Sequence, residues 1–327
     1  MATVVSTWGS SPRGVGAKMA FTPSSKIAGS VSGGCVEGAV YEEGLKTLET
    51  HKGKLLHFGV ADETAFEVGL ACGGNIEVLV RPLEAAIFQI LLTEIEAWHP
   101  IALVSVVGGP AELVGNEVAV TIDGRTAGNL GSGLEQAAYD LIKQTLANEE
   151  TKIIGLETED GAQVRLFIDV IAPPPTLVMV GGVHIAVALA AIAKALGYFT
   201  IVIDPRKTFG NAERFPHVDQ LIQAWPQEAF KKIKLTRSTA VAMLTHDPKI
   251  DDPALKVVLE SPAFYIGALG SKKTQRNRRE RLIADGITEN QLDRIHGPIG
   301  IDLGAKVPEE IALSIMAEII AVRRHSN

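Results

Sequence analysis

The sequence predicts an α/β protein with two domains: an N-terminal α/β domain that contains an internal duplication, and a C-terminal Rossmann-like domain with a parallel sheet. Three observations predict this class. The first half of the chain aligns with itself, a run of three prolines follows it, and the second half alternates apolar strands with helical segments after a glycine-rich turn. A chain of 327 residues, 46% of them hydrophobic, is long enough for two separate cores.

Composition excludes several classes of partner. The chain carries 31 Lys and Arg against 38 Asp and Glu, with only 5% aromatic residues, so neither the charge nor the stacking surface of a nucleic-acid binder is present. The most apolar stretch, residues 177–203, is interrupted by Gly181, Gly182 and Lys194, which argues against a membrane span. We therefore expect no nucleic-acid partner and no membrane partner.

Cysteine usage and the start of the chain indicate the compartment. Two cysteines, Cys35 and Cys72, are few for a secreted scaffold and favour a reducing environment, so the cytoplasm is expected. Met1 leads directly into strand-like residues 3–7 without a charged leader, so no signal peptide is expected. Because a domain seldom begins on a core strand, a preceding helix is expected to be missing.

The duplication emerges when the first half is aligned with itself. At an offset of 99 positions, residues 2–34 align without a gap to residues 101–133, with ten identities. One deletion then aligns Glu37 with Glu135, and a further shift aligns residues 76–79 with residues 168–171. This order predicts two copies of one unit within a domain over residues 1–171. Copy one spans about residues 2–83, copy two spans about residues 101–171, and a linking helix is expected over 84–98.

Copy two serves as an internal control for copy one. We expect each copy to form two strands around a turn, a glycine-rich loop, a helix and a returning strand. Glu37 recurs as Glu135 near a predicted helix start, so its first interpretation is a helix cap and its second a catalytic acid. Cys35 and Cys72 belong to copy one alone, as does the segment 10–13. Residues found in one copy only are the better functional candidates.

The loop before the predicted helix over 36–48 presents a thiol after small residues. Ser32, Gly33 and Gly34 precede Cys35, and backbone N–H groups in such a loop bind a phosphate or another anion. The positive end of a helix favours the thiolate form of a cysteine, which ligates a soft metal or carries sulfur as a persulfide. The alternative is a small buried hydrophobe, the usual fate of a free cysteine.

The second cysteine lies in a similar loop, but before a strand. Cys72, Gly73 and Gly74 are replaced in copy two by larger residues. Two thiols without an adjacent His pair argue against a structural zinc site, since they supply half of a tetrahedral shell. A disulfide between Cys35 and Cys72 stays open, because it depends on their separation in space.

The second half, over residues 176–327, carries a dinucleotide-type fingerprint. A strand over 176–180 leads into Gly181 and Gly182 and then a helix, and Asp204 ends the next strand 23 residues after Gly181. Val183 occupies the position of the middle glycine, where a side chain keeps a pyrophosphate from the backbone. The pattern predicts a dinucleotide fold with weak affinity for NAD(P). Further strands are expected over 240–244 and 263–267, with a final helix over 309–324.

A basic segment over residues 272–281, beginning at Lys272, contains six Lys and Arg residues after a glycine-containing loop. It predicts either a solvated helix face or a cationic rim for an anionic ligand or partner. Arg13 and Lys18, whose charges are absent from copy two, are the corresponding cationic candidates in the first half.

Several short motifs carry a resemblance to a known family. In the first half these motifs are Thr7 to Arg13, Gly16 to Met19, Ser32 to Gly38 and Cys72 to Gly74. In the second half they are His184, Val202 to Arg206, Thr245 to Asp247, Tyr265 to Lys272 and His296 to Asp302. In this order they resemble the xanthine dehydrogenase accessory factors, the XdhC/CoxI family, over nearly the whole chain. Val183 departs from the family, which has glycine there.

The resemblance implies an accessory protein rather than a turnover enzyme. Such a factor is a homodimer that holds the molybdenum cofactor. With a cysteine desulfurase it promotes exchange of an oxo ligand of the molybdenum for a sulfido ligand. It then delivers the cofactor to a xanthine dehydrogenase-type molybdenum hydroxylase. Together with the patterns above, the resemblance implies that Cys35 and Cys72 are the reactive thiols and that Cys35 is the molybdenum ligand. The expected cofactor-binding residues are Arg13, Lys18, Ser32, Gly33, Gly34, Glu37, Gly73, Gly74, Gly181, Gly182, His184, Asp204, Arg206 and Lys272. The alternative function is an NAD(P)-dependent oxidoreductase that uses the second domain.

Overall fold

A computed structural model of the chain describes residues 1–59, 74–131, 133–158 and 160–325. It divides into two compact units, Met1–Pro173 and Pro174–Asn327. Among the residues that the structure describes, none of the helices combines the length and apolar character needed to cross a lipid bilayer.

Copy one forms an antiparallel five-stranded sheet and one long helix. The strands are β1 (Ala2–Trp8), β2 (Lys18–Phe21), β3 (Ile27–Gly29), β4 (Lys54–Phe58) and β5 (Asn75–Val80), and helix α1 is Glu37–Thr50. Their order in the sheet is β3-β2-β1-β5-β4. No sequence pattern indicated β3 or β4, and β3 has only three residues with no alternation of buried and exposed positions.

Copy two repeats this arrangement after the linking helix α2 (Ala85–Glu96). Its strands are β6 (Ile101–Gly108), β7 (Glu117–Thr121), β8 (Thr126–Asn129), β9 (Lys152–Glu157) and β10 (Gln163–Ile171), and helix α3 is Leu134–Asn148. The order β8-β7-β6-β10-β9 is that of copy one with every strand replaced by its counterpart. The predicted internal duplication is thereby confirmed.

The two sheets pack face to face, and each carries its own helix on the outer face. Alternation along β1 places Val4 in the cluster beneath α1, whereas Val5 joins Leu79, Val107 and Phe167 between the sheets. The cluster beneath α3 is built in the same way from copy two. Strands buried on both faces explain why these segments are apolar almost throughout.

The second unit contains a six-stranded parallel sheet. Its strands are β11 (Thr176–Val180), β12 (Phe199–Ile203), β13 (Gln220–Ile222), β14 (Thr239–Met243), β15 (Tyr265–Ala268) and β16 (Ile295–His296). Its helices are α4 (His184–Ala195), α5 (Pro226–Ala229), α6 (Pro248–Leu259), α7 (Lys272–Ala284), α8 (Glu289–Leu292) and α9 (Pro308–His325). The strand order β13-β12-β11-β14-β15-β16 is the doubly wound Rossmann order. Val178 faces one apolar cluster and Leu177 the other, so both sheet faces are covered. The predicted fold class is confirmed.

Candidate functional site

Three of the copy-one motifs meet at one end of the first sheet. Trp8 ends β1 and pairs with Asn75, the first residue of β5. A Cβ added at Gly74 would clash with the backbone of Ser10, so these segments lie against each other. A Cβ added at Gly33 would stand 3.7 Å from Cβ of Pro12. The segment 9–13 therefore lies between Gly74 and the loop that carries Cys35.

Cys35 is a free, exposed cysteine two residues before the start of α1. The alternative interpretation of this residue as a small buried hydrophobe is wrong. Cys72 and Gly73 lie outside the described residues, and the described chain resumes at Gly74. The described site therefore consists of Cys35, Gly74 and the segment 9–13, which lies between them in space.

The carboxylate of Glu37 holds the loop before α1. Its Oε1 accepts hydrogen bonds from Ser30 Oγ at 2.6 Å, Val31 N at 3.2 Å and Ser32 N at 2.9 Å. Its Oε2 accepts from Gly34 N at 2.9 Å and from Ser32 Oγ. The Ser32 hydroxyl in turn accepts the N–H of the residue before the helix, at 2.9 Å.

This arrangement bears on two sequence-based interpretations. The amide groups of Ser32 and Gly34 donate to Glu37, and that of Gly33 donates to Ser30 Oγ at 2.9 Å, so all three are engaged within the protein, and their expected role as a phosphate cradle stays a prediction. Burial alone would raise the pKa of Glu37, but the hydrogen bonds from Ser30 and Ser32 outweigh it and lower the pKa to about 2. Glu37 is ionised at neutral pH and does not act as an acid.

Copy two shows that this role of the glutamate is structural. Glu135 stands at the equivalent position, and its Oε1 accepts the N–H of Leu130, the counterpart of Val31. In both copies, therefore, the carboxylate binds the loop ahead of the helix. No side chain caps the N-terminus of α1 or α3. The glutamate, predicted to cap the helix, instead accepts hydrogen bonds from the loop that precedes it.

Lys18 is paired within the protein. Its Nζ lies 2.5 Å from Oδ2 of Asp169, a side chain that is only 6% exposed. The counterpart of Lys18 in copy two is Glu117, which forms a buried ion pair with Arg81 of copy one. The equivalent positions 18 and 117 thus carry opposite charges, and each pairs with a residue of the other copy. In this structure the charge of Lys18 is paired, and the expectation that it binds a ligand stays a prediction.

Arg13 differs from Lys18 in this respect. Its side chain is exposed, and its guanidinium group makes no ion pair within the described part of the chain. The Ser11 hydroxyl donates to the Arg13 carbonyl at 2.7 Å and holds the backbone of this loop. Arg13 is therefore a cation that the described copy-one loops leave available for an anionic ligand.

A cavity of about 370 Å³, which no sequence pattern indicated, lies at the same end of the sheet. Its lining residues are Ser6, Trp8, His57, Phe58, Gly59, Asn75, Ile76 and Glu77. The sequence motifs include Trp8 but neither His57 nor Glu77. These three residues come from three separate strands, so only the register of the sheet shows that they are neighbours.

In the second unit, Asp204 is fully buried and its carboxylate is used by the chain itself. Oδ2 accepts the N–H of Gly182 at 2.8 Å and Nη2 of Arg206 at 2.7 Å, and Oδ1 accepts the backbone N–H and Nε of Arg206, both at 2.9 Å. A Cβ added at Gly182 would clash with the Phe209 carbonyl. In this structure Asp204 and Arg206 neutralise each other, and the expectation that they contact a cofactor stays a prediction. Gly181 has a positive φ of 110° and turns the chain towards α4.

The remaining candidates of this unit lie near the carboxyl ends of the strands. His184 is exposed at the first residue of α4, with Nε2 3.9 Å from Oε1 of Glu309. Lys272 begins α7 and is exposed. Within the basic segment, Arg278, Arg279 and Arg281 pair with acidic residues of the same unit. Only half of the predicted cationic rim therefore faces solvent unpaired in the described structure.

Comparisons with known proteins identify the family. A family model described as the XdhC Rossmann domain matches residues 177–319, and one described as the XdhC and CoxI family matches residues 1–59. Together they cover more than half of the chain. The chain belongs to the XdhC and CoxI family. The matches fall on the parallel-sheet unit and on the part of copy one that carries Cys35.

Individual relatives span nearly the whole chain. A protein of Bacillus subtilis (strain 168) described as a probable xanthine dehydrogenase subunit is 27% identical over 326 residues, covering 99% of this chain and 93% of that protein. The molybdenum cofactor insertion chaperone PaoD of Escherichia coli (strain K12) is 26% identical over 326 residues, covering 99% and 83%. A crystal structure of a Bacillus halodurans protein described as a xanthine dehydrogenase aligns with a TM-score of 0.76 and 25% identity, covering 100% and 91%.

Proposed function

We propose that this chain holds the molybdenum cofactor and delivers it to a xanthine dehydrogenase-type molybdenum hydroxylase. The domain over residues 1–171 carries the cofactor site, and the observation that carries the proposal is the exposed thiol of Cys35 among loops that converge in copy one. Relatives described as a molybdenum cofactor insertion chaperone and as a probable xanthine dehydrogenase subunit support it.

The residues of the site suit this cargo. Molybdenum is thiophilic and the cofactor carries a phosphate, so a soft thiolate and a cation are the groups that would recognise it. Cys35 would ligate the metal, and the unpaired guanidinium of Arg13 would bind the phosphate in place of the loop amides. Glu37 keeps the loop in one conformation through its five hydrogen bonds.

The difference between the copies supports the same assignment. Copy two has no residue at the position of Cys35, and Glu112 stands where copy one has Arg13. The loop glutamate, in contrast, is present in both copies. Copy two therefore keeps the residue that shapes the loop and lacks the residues proposed to bind the cargo.

Maturation requires partners beyond the cargo itself. We include in the proposal a xanthine dehydrogenase-type enzyme that accepts the cofactor, a cysteine desulfurase that supplies sulfur for its sulfuration, and a second copy of this chain in a homodimer. An exposed Cys35 is accessible to a desulfurase as well as to the metal. Light scattering of the purified protein measures the oligomeric state directly.

The experiment is cofactor analysis of protein purified from a host that makes molybdopterin. We expect molybdenum and molybdopterin in comparable amounts, and activation of an apo molybdenum hydroxylase when the loaded protein is added. Protein that retains neither component, under conditions where the host's own molybdoenzymes are loaded, would overturn the proposal.

The alternative, an NAD(P)-dependent oxidoreductase, draws support from the Rossmann strand order alone. Two contacts in the second unit argue against binding of a dinucleotide. Asp204, the residue that would bind a ribose hydroxyl, is buried against Arg206. The carbonyl of Phe209 lies against Gly182, where a pyrophosphate would approach the backbone. We therefore assign no dinucleotide cofactor to the protein.

A further inference from the structure

The cavity beside β1 combines a flat aromatic wall with a polar edge. Trp8 is 78% exposed, an unusual state for so large an apolar side chain, and it lines the cavity together with Ser6 and Asn75. A volume of about 370 Å³ falls in the range of pockets that bind small organic molecules. An exposed indole at the rim of such a pocket is a stacking surface for a planar ring.

The polar edge is the carboxylate of Glu77. Its Oε1 lies 2.9 Å from Nε2 of His57 and accepts a long hydrogen bond from Nη1 of Arg165 at 3.5 Å, and its Oε2 accepts a hydrogen bond from Nη2 of Arg165 at 2.9 Å. Burial would raise the pKa of Glu77, but the bonds and charges of Arg165 and His57 outweigh it and lower the pKa. The group is thus an ionised acceptor, and two carboxylate oxygens offer about four acceptor sites, so that one site on Oε2 stays open.

Copy two again supplies the contrast. The counterpart of Trp8 is Val107, which is 1% exposed in the core between the sheets. The counterpart of Glu77 is Asp169, which is buried and paired with Lys18. The aromatic wall and the accessible carboxylate are therefore features of copy one alone, the copy that also carries Cys35.

We propose that this cavity binds the pterin ring of the molybdenum cofactor, with the ring stacked on the Trp8 indole and Glu77 accepting one of its N–H groups. The 2-amino-4-oxopyrimidine edge of a pterin presents N–H donors, and the open site on Oε2 of Glu77 can accept one of them. Bonds to a charged acceptor are stronger than those between neutral groups. The inference rests on the proposed function and deepens it by assigning the ring a subsite.

The test uses free pterin, which lacks the metal and the phosphate and so reports on the ring alone. Calorimetric titration of the full chain is expected to show binding, with adenosine binding more weakly because its pyrimidine edge has no ring N–H. Trp8→Ala is expected to weaken pterin binding by about tenfold or more, the range for loss of one aromatic stacking partner. Glu77→Gln should weaken pterin binding while leaving the weak adenosine signal unchanged.

Trp225→Ala is the matched control, since Trp225 is an exposed tryptophan of the second unit, 47% accessible. It should bind pterin as the unaltered protein does. Circular dichroism of each variant confirms that it is folded. No pterin binding at millimolar concentration, or equal binding by Trp8→Ala, would overturn the inference.

Retention of the complete cofactor separates this inference from the proposed function. If Trp8→Ala binds free pterin as well as the unaltered protein does, the ring subsite is wrong, and retention of the complete cofactor by the unaltered protein still supports the proposed function. Pterin binding that depends on Trp8 and Glu77, without retention of the complete cofactor, would support the ring site and contradict the proposed function.

Discussion

Glu37 and Glu135 occupy equivalent positions in the two copies, and both carboxylates bind backbone N–H groups of the preceding loop. Glu37 accepts five hydrogen bonds, two of them from hydroxyl groups, and this number explains why its pKa is lowered despite burial. The loop that presents Cys35 is therefore held by one side chain. Its geometry should depend on the ionisation of that side chain.

We predict that Glu37→Gln destabilises the protein by about 2 kcal/mol at neutral pH, the scale of hydrogen bonds to a charged group. The pKa of Glu37 falls from an ordinary 4.5 to about 2 on folding, so its contribution is complete above pH 4.5 and disappears as the pH falls towards 2. Urea denaturation of both proteins across this range measures the difference.

Glu135→Gln is the control for this prediction, because Glu135 accepts a bond from the Leu130 N–H, and Asn129 and Gly131 stand where copy one has the donors Ser30 and Ser32. Its effect should be smaller. A stability difference between Glu37→Gln and the unaltered protein that stays constant down to pH 2 would contradict the account of the loop.

At the scale of elements, the two copies are joined by two ion pairs, in each of which copy one supplies the cation and copy two the anion. Lys18 on β2 pairs with Asp169 on β10, and Glu117 on β7 pairs with Arg81, which follows β5. Asp169, Glu117 and Arg81 are each 6% exposed or less, so the loss of a partner leaves a charge in the interior. These pairs tie together sheets that otherwise meet through apolar side chains.

We predict that Lys18→Met destabilises the protein by about 3 kcal/mol, because the Asp169 carboxylate is left without its partner. The double variant Lys18→Met with Asp169→Leu should recover most of this loss, since it removes both charges. Thermal or urea unfolding checks both. A Lys18→Met protein as stable as the unaltered one, but without bound cofactor, would instead make Lys18 a ligand-binding residue.

The turn after β11 illustrates how a fold can keep its topology without the ligand that the topology suggests. Asp204 accepts the N–H of Gly182 and pairs with Arg206, and the Phe209 carbonyl lies against Gly182. We predict that NAD and NADP, oxidised or reduced, give no heat of binding at millimolar concentration. Micromolar affinity for any of them would show that the Asp204 pair opens and would restore the oxidoreductase hypothesis.

At the scale of the whole molecule, the sequence was most informative where structure follows local patterns. The strands over 176–180 and 199–203 have the bounds predicted for them, because buried parallel strands are uninterrupted apolar runs between turn residues. The duplication was visible because turn glycines such as Gly16 and Gly115 are needed in both copies, where their φ values are 84° and 93°.

Contacts between distant segments were not predictable in this way. The partner of Lys18 is Asp169, which lies in the other copy, and the partner of Glu77 is Arg165, also in the other copy. No local pattern in the chain indicates that these residues meet. For the same reason the Trp8 cavity, built from three strands, emerged only from the folded chain.

The central claim is that the copy-one loops hold the molybdenum cofactor through Cys35. The most direct measurement compares molybdenum and molybdopterin per protein chain in the unaltered protein, Cys35→Ala and Cys35→Ser, all purified from a host that makes the cofactor. Ser24→Ala, which alters an exposed hydroxyl elsewhere in copy one, is the control. We predict that both Cys35 variants lose nearly all bound molybdenum while remaining folded, and that Ser24→Ala retains it. Full retention by folded Cys35→Ala would contradict the claim.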